Sequence, residues 1–95
     1  MDAKEFMQTH ADNAVAGKMA EVMKDLTPES LAQVGPLMAG GPNPLEANSV
    51  VSRGQDGDDH VFDVTYTGGD KSLSMREWIR DIGGTFKIVK LEKPS

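Results

Sequence analysis

The chain contains no cysteine, which excludes a disulfide framework, a thiol nucleophile and a thiolate metal site. Positive charge is in deficit, with ten Lys and Arg against 15 Asp and Glu and a net charge of -5. That balance argues against a nucleic-acid partner, because sequence-independent binding needs cations to neutralise phosphates. No run of 18 apolar residues occurs, so no membrane-spanning helix is expected. The opening residues Met1 to Phe6 lack both a basic region and an apolar run, so no signal peptide is expected and the anticipated setting is the cytoplasm. Two histidines 50 residues apart do not make a metal site. No glycine-rich phosphate loop follows a strand, and Ser72 and Ser74 lack a nearby triad pattern, so no cofactor is expected.

What is present fits a single α+β domain over residues 1–95, with helices over about 2–39, a loop over about 40–46 and a sheet over about 47–92. Ala3, Phe6, Met7, His10, Ala11, Ala14 and Val15 recur at helical spacing on one stripe. Asp2 is suited to cap that helix and Gly17 to end it in the left-handed conformation. Met19, Val22, Met23 and Leu26 resume the pattern, either in a short second helix after a break at Gly17, the favoured reading, or in a kinked continuation of the first, which makes two or three helices in all. Thr27-Pro28-Glu29 then combines a cap, a proline at the first helical position and an acid at the positive end of the dipole. The third helix is expected to turn Leu31, Val34, Leu37 and Met38 inward, to bend near Gly35 because Pro36 removes a hydrogen bond, and to end by Gly40-Gly41.

Four strands are expected in an antiparallel meander: Ala47 to Arg53, Val61 to Thr67, Ser72 to Arg80 and Thr85 to Leu91. Gly68-Gly69 and Gly83-Gly84 suit two-residue hairpin turns with positive φ at both central positions. The acidic stretch Gly54 to Asp59 departs from a calcium loop, which would need a final Glu where Thr67 stands, and reads as a solvated turn. Phe62, Val64 and Tyr66 share one face, opposite Val61, Asp63 and Thr65. In the third strand Leu73 and Met75 agree in phase, but alternation would then bring Glu77 inward and send Trp78 outward. Either a β-bulge near Arg76 restores Trp78 to the core or Trp78 lies on the opposite face. In the last strand Phe86 and Ile88 form one face and Val89 and Leu91 the other. A sheet apolar on both sides needs two covers, so Val89 and Leu91 are expected at a homodimer interface through the outer sheet face.

Several runs sharpen this outline: Ala14-Val-Ala-Gly-Lys18, Val22-Met-Lys-Asp-Leu-Thr-Pro-Glu29, Phe62-Asp-Val-Thr-Tyr-Thr-Gly68 and Trp78-Ile-Arg…Gly84-Thr-Phe-Lys-Ile-Val89. Together they resemble the nuclear-transport-factor-2-like superfamily, over nearly the whole chain. The resemblance implies a curved, cystatin-like sheet wrapped on helices into a cone, dimerisation through the sheet, and a pocket inside. Its members include ketosteroid isomerases, scytalone dehydratases and polyketide cyclases (the SnoaL-like type) alongside non-enzymatic dimerisation modules. This chain is shorter than typical members. The isomerases carry a tyrosine seven residues before the glycine closing helix one, and that position here is His10. Their carboxylate base, expected between Leu31 and Leu37, has no counterpart. Their second oxyanion donor could match only Asp63, whose phase points it away from the pocket.

The expected ligand pocket is lined by His10, Met38, Phe62, Tyr66 and Trp78. No residue is assigned a catalytic role; His10 is the one candidate, since imidazole exchanges protons near neutral pH. Packing on a helix stripe is the default for that residue, as core filling is for Tyr66 and the methionines. Three functions follow: a homodimeric module binding a small apolar ligand or partner in its cone, a reduced isomerase or cyclase using His10, or a dimerisation domain with a filled cone. Asp63 or Glu77 directed into a cavity with His10 would favour the enzyme.

Overall fold

A computed structural model describes residues 1–94. Three helices, α1 (Ala3–Val15), α2 (Met19–Lys24) and α3 (Pro28–Met38), precede four strands, β1 (Ala47–Asp56), β2 (Asp59–Gly68), β3 (Lys71–Ile82) and β4 (Thr85–Glu92). The strands form one antiparallel sheet in the order β1-β2-β3-β4. This is the α+β architecture expected from the sequence, with the helical layer on one face of a curved sheet.

Local chemistry sets the helix ends. Asp2 accepts from the Glu5 amide at 2.8 Å while the Glu5 side chain reaches back to the Asp2 amide, a reciprocal capping box. Gly17 ends the first helical segment with φ +76°, a conformation that costs other residues about 1 kcal/mol or more. Thr27 caps α3 and Pro28 sits in its first turn. Pro36 stands inside α3, which still runs to Met38. Leu31, expected to point inward, is 40% exposed, and the fully buried residue on this helix is Ser30.

The hairpins refine the expected turns. Gly83 and Gly84 both have positive φ between Ile82 and Thr85, a two-residue turn as anticipated. Between β2 and β3 the turn residues are Gly69 and Asp70, and only Gly69 has positive φ. Gly68 is needed for closeness instead, since a Cβ there would lie 2.2 Å from the Pro44 carbonyl oxygen. β1 does not stop at Arg53. A bulge at Arg53-Gly54 absorbs one residue, with Gly54 at φ +89°, and pairing resumes to Asp56.

The core lies between α1, α3 and the inner sheet face, built from Phe6, Met7 and Ala11 against Phe62, Val64, Tyr66, Met75, Ile79, Ile88 and Leu91. Each large apolar side chain so buried contributes about 2 kcal/mol. The phase of β4 departs from expectation. Trp78 pairs with Lys90 but Ile79 pairs with Ile88, so Val89 is bulged out of the ladder. That shift rotates Leu91 onto the same face as Phe86 and Ile88, where it is 4% exposed. Leu91 is therefore core and cannot sit on an outer interface, while Val89 stays half-buried at the bulge.

The helical layer bonds to β4 on either side of the bulge. The Ile88 amide donates to the Asp25 carbonyl at 2.7 Å, and the Thr27 amide donates to the Ile88 carbonyl at 3.1 Å. Ser30 Oγ donates to that same carbonyl at 2.6 Å, and the Leu91 amide donates to Gln33 Oε1 at 2.7 Å. These bonds occupy the free edge of β4, which would otherwise offer unpaired groups to another chain.

Candidate functional site

Alternation along β3 holds without interruption near Arg76. Phe62 pairs with Glu77, Val64 with Met75 and Tyr66 with Leu73, so Glu77 faces the helices and Trp78 faces away. No bulge in β3 returns Trp78 to the cavity side, and its expected place in the pocket is corrected. It packs on the outer face at 7% exposure, with Nε1 donating to Asp56 Oδ2 at 3.1 Å and Lys90 Nζ 4.5 Å from the ring. Asp56, from the acidic turn, thus has a structural partner, and so does Asp59, which accepts two hydrogen bonds from Arg80. Asp63 also lies outside. It accepts two bonds from Arg76, at 2.8 and 3.0 Å, which hold its carboxyl below the usual carboxylate range.

Between the helices and the sheet lies a cavity of about 70 Å³, room for a few water molecules or the head of a small organic molecule. Its walls are mostly apolar (Ala14, Val22, Leu26, Val34, Met38, Leu45, Met75 and Leu91), and His10, Tyr66 and Glu77 are its polar and aromatic members. Of the five residues expected at a pocket, His10, Met38 and Tyr66 meet here. Phe62 is buried in the core beside the cavity without lining it.

Glu77 is 1% exposed, and its Oε2 is buried with no hydrogen-bond partner among the described residues. Withdrawal from water disfavours the ionised form and pushes the carboxyl up to about 7, with the positive charge of protonated His10 opposing the shift. Tyr66 is likewise held strongly upward, first by burial and then by the negative charges of Glu77 and Asp12.

His10 is set by two helices. The α1 stripe buries it at 5% exposure, and Asp25, the C-cap of α2, places Oδ2 2.8 Å from Nδ1. An ionised carboxylate only accepts, so Nδ1 donates to it and Nε2 is left for other work. Asp25 was missed by sequence reasoning, because its link to His10 depends on the α1–α2 crossing and has no local signal. Glu77 did have a signal, the strict alternation of β3. The constellation is thus an oriented imidazole and an unpartnered carboxyl with a near-neutral pKa, facing one small apolar space. That combination suits proton transfer to or from a bound molecule.

Among the described residues no group of three His, Asp or Glu side chains could hold a metal ion, and no helix is long and apolar enough to cross a membrane. Compared with family models, curated proteins and solved structures, the chain matches none.

Proposed function

We propose that the chain binds a small, uncharged, largely apolar molecule in the cavity between helices and sheet and moves a proton on it, with Glu77 as base and His10 as its partner. The observation that carries this reading is the buried Glu77 carboxyl, unpartnered at Oε2 and sharing one cavity with the Asp25-oriented His10. A buried carboxyl left without a partner costs stability, and sites that hold such groups are enriched in function. The resemblance to the nuclear-transport-factor-2-like superfamily agrees with proton chemistry of the isomerase, dehydratase or cyclase kind. The departure from the isomerase pattern is answered by position: the carboxyl comes from β3 instead of from the helical segment after helix two.

For a ketone ligand the step balances within the site. The α C–H bond breaks, its proton passes to the Glu77 carboxylate, and the electron pair moves onto the carbonyl oxygen. Protonated His10 donates from Nε2 to that oxygen, and Asp25 steadies the charge on the ring. The proposal needs no second copy of the chain. Leu91, expected at a dimer interface, is one of the cavity walls.

The test is α-proton exchange of 2-butanone in D₂O, followed by proton NMR. The chain should exchange the ketone well above a buffer blank. Glu77→Gln should lower it by a factor on the order of 10² or more. Equal rates in the parent chain and Glu77→Gln would sink the acid–base reading.

A further inference from the structure

We infer that the open groove between the end of α1 and the 39–45 loop is the way into the Glu77 cavity, and that it holds the aliphatic tail of an uncharged molecule whose polar head meets Glu77. This rests on the reading of the cavity as a ligand site. The groove encloses about 520 Å³, far more than the 70 Å³ behind it. Ala14, Met19, Met38 and Leu45 line both spaces, so the two share these four residues as a common wall. Two of the four are methionines, whose three rotatable bonds let them swing at little cost. Met19 walls the inner cavity yet is 55% exposed. It stands at the start of α2, a six-residue helix with no side-chain cap bond, the kind of segment that opens locally with a small free energy.

The groove also states what it excludes. Its walls carry no charged side chain; Val15, Pro42 and Pro44 continue the apolar lining, and Asn43 is its one polar side chain. An anionic tail would find no counter-charge there and would meet a chain of net charge -5. A cationic tail would find no carboxylate in the groove. A neutral hydrocarbon gains by leaving water, and the groove removes water from it along several methylenes. The ligand class is therefore a neutral amphiphile: a carbonyl or comparable acceptor at one end and an alkyl chain behind it.

A series of methyl ketones from 2-butanone to 2-heptanone tests this, with exchange measured alongside the ε-methyl NMR signals of the chain. Affinity should tighten by about fourfold per added methylene, the factor matching about 0.8 kcal/mol per buried CH₂, and 2-heptanone should shift the Met19 and Met38 methyl signals. Met19→Trp, which fills the groove from an exposed position, should flatten the series. A flat series in the parent chain, with 2-butanone still exchanged, overturns the tail site and leaves the Glu77 chemistry standing. If no ketone is exchanged, the Glu77 chemistry fails, and the methyl signals alone decide the groove: shifts with 2-heptanone uphold it, and unmoved signals overturn it.

Discussion

Replacing Glu77 by glutamine isolates what a buried carboxyl costs this fold. In the unfolded chain Glu77 titrates at the ordinary 4.5, whereas burial in the folded chain raises it to about 7. Between those values the folded state holds a proton that the unfolded state has lost, so stability falls as pH rises from about 4.5 to about 7 and levels off above. Two to three units correspond to about 3 kcal/mol, a large share of the 5–15 kcal/mol that holds a typical domain together. Glu77→Gln removes the titration without changing the shape. At pH 8 the variant should exceed the parent by about 2–3 kcal/mol, less whatever the unpartnered amide costs. Near pH 4.5 the two should agree within about 1 kcal/mol, because both side chains are then neutral in the fold and Glu77 is only half ionised in the open chain. Urea unfolding of both proteins at several pH values from 4.5 to 8 measures this, and groups common to both cancel in the difference. A difference independent of pH would refute the reasoning, for it would mean that Glu77 ionises in the fold as readily as in the open chain. Stability surrendered at one buried acid, and recovered by an isosteric change that abolishes proton transfer, is the signature of a site kept for function.

Other consequences can be measured separately. Substituting His10→Ala removes the positive charge that opposes the shift of Glu77, so the Glu77 carboxyl should titrate still higher, as carbon NMR of its Cδ would report; an unchanged midpoint would separate the two groups electrically. Gly68→Ala forces a Cβ to 2.2 Å from the Pro44 carbonyl and should destabilise by about 1–3 kcal/mol, lowering the melting temperature by several degrees; a melting curve that does not move would show that the 42–46 loop yields freely. Ser30→Ala removes the 2.6 Å bond to the Ile88 carbonyl, which keeps the Thr27 amide as a donor, so it should cost about 1 kcal/mol and speed amide exchange along β4 in particular. In Asp56→Ala the indole of Trp78 loses its acceptor, so the emission of the chain's one tryptophan should shift, with stability falling by about 1 kcal/mol.

The fold was legible wherever a local rule and the hydrophobic pattern agreed. The stripe from Ala3 to Ala11, the caps at Asp2 and Thr27, the break at Gly17 and the Gly83-Gly84 turn all follow from neighbours a few residues apart. Errors appear where two phases were equally apolar. Ile88, Val89 and Leu91 satisfy an inward face either way, so nothing in β4 itself says that Leu91 belongs to the core. Trp78 posed the reverse problem: alternation placed it outside with Glu77 inside, against the usual preference for burying the indole and exposing the acid. The candidate site was half visible for the same reason, with His10, Met38 and Tyr66 recognisable and Asp25 not.

By itself, the order of residues determined the elements, their meander and the face each middle strand turns to the helices, because those depend on spacing and turn chemistry within a short stretch. The tertiary structure decided the rest. Asp25, Thr27, Ser30 and Gln33 bond to the edge of β4 on either side of its bulge, and the crossing of α1 with α2 brings Asp25 to His10. The pKa of Glu77 belongs to no residue type, since it arises from water being shut out by side chains tens of positions away.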